Sequence, residues 1–241
     1  MNNAIFNFPE PVNEPLLAYL KGSRERELLE KELADQNNSV IDIPLIINGK
    51  EIRTGITGKI TNPADHDHVL ATYHMATEKE VSMAIDAALS AKCEWMTLSW
   101  MERAAIMAKA AELISKKYRY RLNAATMLGQ GKNAFQAEID SACEVIDYLR
   151  FNNYFASLIY REQPKSGTEI INRLEYRPLE GFVYTITPFN FTAIASNLNT
   201  SVVLMGNTTV WKPASTAVLS NYYLMKIFEE AGMPASSKIF I

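Results

Sequence analysis

An α/β fold organised around a parallel sheet is predicted by three observations. First, residues 182–212 read as strand, helix, strand: the short apolar run Phe182–Ile186 enters the turn Thr187-Pro188-Phe189-Asn190, an apolar helix follows, and after Gly206-Asn207 a second β-rich run ends on Lys212-Pro213. Two strands joined by a crossover helix form the unit of a parallel sheet. Second, successive segments between residues 77 and 155 carry apolar residues at helical spacing. Third, Asn48-Gly49 sits between two β-rich runs, a hairpin signature.

In chain order, residues 14–36 read as one polar helix with alternating charges (Arg24-Glu25-Arg26-Glu27) and with Leu28, Leu29 and Leu33 along one side, the pattern of a solvated surface helix. Residues 43–61 read as strand, turn at Asn48-Gly49, and strand. Asp65-His66-Asp67-His68 follows Asn62-Pro63 in a turn region; with no third ligand cluster in view it reads as a solvated loop, and no metal is expected. Thr77 opens a helix through a capping box to Glu80, with Val81, Ala84, Ile85, Ala88 and Leu89 on its buried face. Helices are predicted over 101–117, 119–128 and 133–155, the last with Phe135, Ile139, Ala142, Cys143 and Ile146 as its buried stripe. Trp95, Trp100 and the tyrosines at helical spacing read as packing. Residues 158–179 change character: Pro164, Ser166 and Gly167 make a loop, and Ile170-Ile171 with Leu174 and Tyr176 predict an edge ribbon. The helix at 216–231 stops at Gly232 with Pro234 beyond. Lys238–Ile241 begins a third strand, so the expectation is the N-terminal portion of a longer protein. The predicted organisation is 1–157, arm and helical region; 158–179, ribbon; 180–241, first strands and helices of the parallel sheet.

Composition excludes several classes. With 241 residues, 48% hydrophobic and 21% charged, the chain can bury a substantial core. A net charge of -3 leaves no footprint for nucleic acid. No stretch approaches 18 apolar residues, so no membrane span is expected. Met1–Asn13 contains no Lys or Arg and matches neither a signal peptide nor an arginine-rich transit sequence. Two cysteines, Cys93 and Cys143, fit a reducing compartment. The cytoplasm is therefore expected, or the mitochondrial matrix of a eukaryote once a presequence is removed. Gly129-Gln130-Gly131-Lys132 lacks the spacing and the Ser/Thr of a P-loop.

In open α/β sheets the chemistry sits beyond the carboxyl ends of the strands, where Asn190 and Lys212 both fall. This arrangement resembles the aldehyde dehydrogenase superfamily, in which a Pro-aromatic-Asn turn and a Lys-Pro turn follow the first two strands of the nucleotide-binding sheet. Gly129-Gln130-Gly131-Lys132, Gln136-Ala137-Glu138-Ile139-Asp140, Leu149-Arg150-Phe151-Asn152 and Pro188-Phe189-Asn190-Phe191-Thr192-Ala193-Ile194 together resemble one branch of it, whose members oxidise glutamate γ-semialdehyde (Δ1-pyrroline-5-carboxylate) to glutamate. The similarity runs from about Asn13 to Ile241. It implies an aldehyde-dehydrogenase-like N-terminal helical region plus the start of a Rossmann-type sheet, truncated before the catalytic domain. It also implies NAD as cofactor, a small aldehyde substrate in proline catabolism, and a homo-oligomer in which 158–179 makes subunit contacts.

What the resemblance implies differs from what the residues alone suggest. Asn190 by itself reads as the cap of a helix beginning at Phe191; the resemblance makes it the oxyanion donor. Lys212 by itself reads as a solvated strand end; the resemblance places it on the ribose hydroxyls of NAD, with Thr187, Pro188 and Phe189 beside the nicotinamide. Ser215 stands where many relatives carry an acid that would repel the 2′-phosphate of NADP, so it weakens the preference for NAD. Glu144 and Phe191 match residues bordering the aldehyde tunnel, and read otherwise as a helix-surface carboxylate and ordinary core. The nucleophilic cysteine, the general-base glutamate and the glycine-rich pyrophosphate turn of the family lie beyond Ile241. Neither Cys93 nor Cys143 has a neighbouring His or a helix N-terminus to activate it. The chain alone is therefore expected to bind cofactor weakly and turn over nothing. Alternative readings are a dehydrogenase of another aldehyde, or a non-catalytic protein that binds partners through 158–179.

Overall fold

In chain order the elements are α1 (Arg24–Asn37), β1 (Ile41–Ile43), β2 (Leu45–Ile47), β3 (Lys50–Ile52), β4 (Thr57–Asn62), β5 (Asp65–His74), α2 (Glu78–Thr97), α3 (Trp100–Leu113), α4 (Arg119–Gln130), α5 (Ala134–Ala137), α6 (Val145–Arg161), β6 (Val183–Ile186), α7 (Thr192–Leu204), β7 (Thr209–Lys212), α8 (Val218–Ala231) and β8 (Lys238–Phe240). The computed structural model describes residues 8–234 and 238–241. Residues 1–7, which open the Lys- and Arg-free N-terminal stretch, lie outside the described residues.

The main sheet has the order β3-β2-β8-β7-β6. As the strand–helix–strand pattern predicts, β6, β7 and β8 are parallel, with Val183 opposite Thr209 and Trp211 opposite Phe240. The β2–β3 hairpin, closed by Asn48 (φ 50) and Gly49 (φ 73), joins it antiparallel through Ile46 and Phe240. Strand β8 is thus covered on one side by β7 and on the other by β2; the outermost strand of the parallel set is β6. Trp211 is fully buried and stands edge-on to Phe240, with ring centroids 5.3 Å apart. Gly206 turns the chain from α7 into β7 at φ 87, where an added Cβ would lie 2.9 Å from Pro178.

A second sheet, β1-β5-β4, lies beside the first. Asp65–His68, expected in a loop, begins β5 instead: Asn62 accepts the Ala64 N–H at 2.9 Å and closes a turn at Pro63-Ala64, and Asn62 then pairs with Asp65. Residues 162–179 form no strand, contrary to the ribbon expectation. Side chains take the place of a ladder, with Gln163 accepting the Leu174 N–H at 2.8 Å and Ser166 accepting the Asn172 N–H at 3.0 Å.

Two helical faces differ from their periodicity. In α2 the buried apolar residues are Ala84, Ala88, Ala91 and Trp95, whereas Val81 and Leu89 are exposed. Residues 134–161 form one continuous helix, but 138–144 make a π-helical turn. Its wider turn shifts the phase of everything on either side. Phe135, expected in the buried stripe, is 59% exposed, while Glu138, Asp140 and Ser141 turn inward.

That phase shift explains the largest departure from the sequence reading. The helix expected over 14–36 begins only at Arg24, capped by Ser23 after Gly22 at φ 80. Residues 13–20 form an extended strap docked on the helical body. Arg119, only 5% exposed, donates to Glu14 at 2.6 Å, to the Pro15 carbonyl at 2.6 Å and to Glu138 at 3.0 Å. Glu138, fully buried, also accepts from Tyr19 Oη at 2.6 Å, the Leu17 N–H at 2.9 Å and Asn123 at 2.8 Å. Arg150 and Ser115 donate to Glu14 at 2.6 and 2.7 Å. Burial opposes ionisation of both carboxylates, but the donors outweigh it and hold both below the ordinary range.

A carboxyl group with a depressed folded pKa stabilises the fold above its unfolded pKa, near 4.3 for Glu, and that contribution fades as pH falls through the lower folded value. Acidification below about pH 4 is therefore expected to release the strap. Pepsin cleavage within 13–22 should accelerate there, ahead of global unfolding followed by circular dichroism. Strap cleavage that tracks global unfolding at every pH would show that the two carboxylates do not hold it.

Candidate functional site

Strand β6 ends at the turn Thr187-Pro188-Phe189-Asn190, and β7 ends at Lys212 beside it, Ile186 lying opposite Lys212. The Thr187 N–H donates to the Lys212 carbonyl at 3.2 Å, carrying the pairing one residue further. Thr187 is buried and its hydroxyl accepts the Trp211 indole N–H at 3.0 Å, so this side chain is committed to the core. Pro188 is half-buried, Phe189 is 67% exposed, and Asn190 is exposed.

Asn190 does not cap the following helix, and the reading of it as a cap is overturned. Helix α7 begins at Thr192, and the residue before it, Phe191, makes no capping bond. Asp140 on the π-helical turn does the work from across the chain: its two oxygens accept the Thr192 N–H at 3.0 Å and the Ala193 N–H at 2.9 Å. A buried carboxylate satisfies two orphan donors there and complements the positive end of the helix. The Asn190 side-chain amide is left without a hydrogen bond among the described residues, and so is free to serve a ligand.

Lys132 joins these parts. Its ammonium donates to Asp140 at 2.5 Å and to the Asn190 carbonyl at 2.6 Å, and stands 4.5 Å from the centre of the Phe191 ring. Glu144, half-buried at the end of the π-helical turn, has its carboxyl pushed up by burial and by the Asp140 charge, with Lys132 opposing. Asn190, Phe191 and Glu144 thus surround one Lys132–Asp140 pair. Lys132 and Asp140 were assigned no chemical role by the sequence reading. The signal for Asp140 was an acid on a mainly apolar helix face; for Lys132 it was a cation held between the αL glycine Gly131 (φ 67) and the capping residue Asn133.

Lys212 and Ser215 line a separate cavity of about 320 Å³ whose other walls include Pro44, Leu45, Tyr184, Val218 and Phe240. Lys212 is exposed, and among the described residues its ammonium meets only the Pro213 carbonyl, at 3.5 Å. The wall is mainly apolar, with Lys212 bringing a cation to it at the carboxyl end of β7. Ser215 adds no charge beside it.

Neither thiol is poised for nucleophilic attack. Cys143 is buried under the strap, 3.3 Å from Arg119 and 3.7 Å from the Pro15 carbonyl, and burial together with the Glu138 charge pushes it up to about 12. Cys93 is free and exposed on α2. Among the described residues no helix is long and apolar enough to cross a membrane, and no group of three or more His, Cys, Asp or Glu side chains is gathered to hold a metal ion.

Residues 53–238 match the aldehyde dehydrogenase family. The chain is 50% identical over 230 residues to the mitochondrial delta-1-pyrroline-5-carboxylate dehydrogenase of Dictyostelium discoideum, covering 95% of the chain and 41% of that protein. It is 51% identical over 240 residues to a probable delta-1-pyrroline-5-carboxylate dehydrogenase of Schizosaccharomyces pombe, covering 99% of the chain and 44% of that protein. The crystal structure of the Mycobacterium tuberculosis Delta-pyrroline-5-carboxylate dehydrogenase bound with NAD superposes on all of the chain and 45% of that structure, with a TM-score of 0.98 at 44% identity. The chain therefore spans about two fifths of the length of the curated relatives it matches.

Proposed function

The chain belongs to the aldehyde dehydrogenase family, and from that premise we propose that the full-length gene product oxidises L-glutamate γ-semialdehyde (Δ1-pyrroline-5-carboxylate) to L-glutamate with NAD. The observation that carries this reading is the Asn190 amide: it stands at the carboxyl end of β6 with its helix-capping duty taken over by Asp140, in a chain about half identical to the relatives bearing that name.

In this reading the Asn190 side chain donates to the aldehyde oxygen as negative charge develops on it during thiolate addition. Lys212 holds the ribose hydroxyls of NAD, with Ser215 close by, and Thr187, Pro188 and Phe189 flank the nicotinamide. NAD, when bound, supplies the hydride acceptor. Glu144 and Phe191 border the aldehyde's path. The nucleophilic thiolate is not Cys93 or Cys143, so residues 1–241 alone are expected to be inactive. Residues 158–179 serve contacts between copies of the subunit, 1–157 form the arm and helical region, and 180–241 begin the nucleotide-binding sheet. The working compartment is the cytoplasm, or the mitochondrial matrix in a eukaryote.

The test is steady-state formation of NADH by the full-length gene product on glutamate semialdehyde and on simple aliphatic aldehydes. A higher kcat/KM for the semialdehyde supports the proposal; a preference for aliphatic aldehydes overturns the substrate. Calorimetry with NAD tests the cofactor site separately. Lys212→Ala removes charge-assisted hydrogen bonds worth about 1.5 kcal/mol or more, so NAD affinity should fall roughly tenfold. Unchanged affinity would remove Lys212 from the cofactor site.

A further inference from the structure

We infer that Lys132 is a positioning residue for this reaction, holding the Asn190 peptide so that the Asn190 side-chain amide meets the aldehyde oxygen. The inference rests on the reading of Asn190 proposed above.

Its starting point is rigid. Gly131 closes α4 in the left-handed region, and Asn133 opens α5 in a reciprocal cap with Gln136 at 2.9 and 3.1 Å, so the backbone on both sides of Lys132 is fixed. The side chain is only 16% exposed. An ammonium has three donors in a compact head, and here two go to fixed acceptors, Asp140 Oδ2 and the Asn190 carbonyl, while the charge faces the Phe191 ring.

Beyond Thr187, which is held by Lys212 and Trp211, the turn it grips has little else to hold it. Phe189 and Asn190 are exposed, and α7 begins beyond them without a cap from the turn itself. Lys132 ties the 190 carbonyl to a helical hairpin 58 residues away in sequence. Removing it takes the cation from Asp140, but the two N–H groups of α7 and the positive end of that helix still meet the carboxylate, so α7 keeps its cap. The Asn190 peptide alone is then free to rotate. A donor that must be aimed before charge develops loses most of its value when it has to be reoriented during the reaction.

This predicts a local and non-additive defect. In the full-length gene product, Lys132→Met should lower kcat/KM for the aldehyde by about 10- to 100-fold, part of what a lost oxyanion donor costs, with NAD affinity unchanged. Lys132→Arg should recover most of the loss. In an Asn190→Ala background, Lys132→Met should cost nothing further, because contacting residues couple while independent ones add. Additive losses would overturn the inference, since a general structural role or a direct action of the charge on the substrate would persist without Asn190.

Hydrogen exchange separates this inference from the proposed reaction. Lys132→Met should speed exchange at 189–191 about tenfold or more while leaving 192–204 unchanged, as local opening requires. Unaltered exchange at 189–191 overturns the positioning role whatever the enzyme's activity. Faster exchange in a protein whose wild type oxidises no semialdehyde would overturn the reaction and leave the Lys132 contact standing.

Discussion

Asn190→Ala is expected to reduce kcat/KM of the full-length gene product on glutamate semialdehyde by on the order of 10² to 10³, the usual cost of one oxyanion donor. Its stability should stay within about 0.5 kcal/mol of wild type, as for surface positions without a structural duty. The pairing of a large kinetic loss with negligible destabilisation follows from a particular fact. Asp140, not Asn190, caps α7, and the Asn190 amide has no hydrogen bond among the described residues. Had Asn190 been the cap, truncation would cost about 1 kcal/mol, and the two effects could not be separated. Asn190→Asp should be at least as damaging, because a carboxylate of the same shape offers acceptors where a donor is needed. NADH formation and urea unfolding of the three proteins decide the matter. Activity above a tenth of wild type in Asn190→Ala would mean that the oxyanion is stabilised elsewhere.

The largest expected loss of stability is at Arg119. Replacement by Met leaves Glu138 fully buried without its cation, while Glu14 keeps only Arg150, and breaking a buried pair from one side costs about 3–5 kcal/mol. Arg119→Lys should fall between, because one ammonium cannot reproduce a fork that spans Glu14, the Pro15 carbonyl and Glu138. The pH dependence should change sign. In wild type the Glu138 carboxyl lies below its ordinary range, so its contribution is present at neutral pH and fades in acid. Without Arg119, burial dominates and the folded pKa rises above the unfolded one, so the protonated form is favoured in the fold. The deficit of Arg119→Met should therefore shrink as pH falls from 7 towards 5. Urea unfolding at both pH values measures it, and a deficit below about 1 kcal/mol would show that water replaces the guanidinium.

Most strands and helices were legible because they depend on local spacing, but Asp65–His68 of β5 was read as loop and 162–179 as a ribbon that forms no strand. The parallel order of β6, β7 and β8 followed from the crossover helices between them, and the β2–β3 hairpin from Asn48-Gly49. The candidate site was legible in part, since Asn190 and Lys212 stand at strand ends that a sequence pattern can locate. Three features escaped. The strap at 13–20 read as helix because Pro15, Gly22 and the charges around them do not reveal that Arg119 and Glu138 will grip it. The π-helical turn at 138–144 was hidden because periodicity analysis assumes a constant pitch. The cap of α7 was hidden because it comes from Asp140, 52 residues before Thr192, and not from the residues beside the helix.

By itself, then, the sequence determined most of the strands and helices, the strand–helix–strand unit, and the two polar residues delivered to its carboxyl edge. These follow from backbone geometry and nearest-neighbour chemistry, which act over a few residues. Tertiary structure alone decided which buried charges meet, and with them the capping of α7, the docking of the strap and the grip of Lys132 on the Asn190 turn. The strap, the α7 cap and the grip on the turn each depend on a buried charge finding a partner more than 50 residues away, and no local pattern carries that distance.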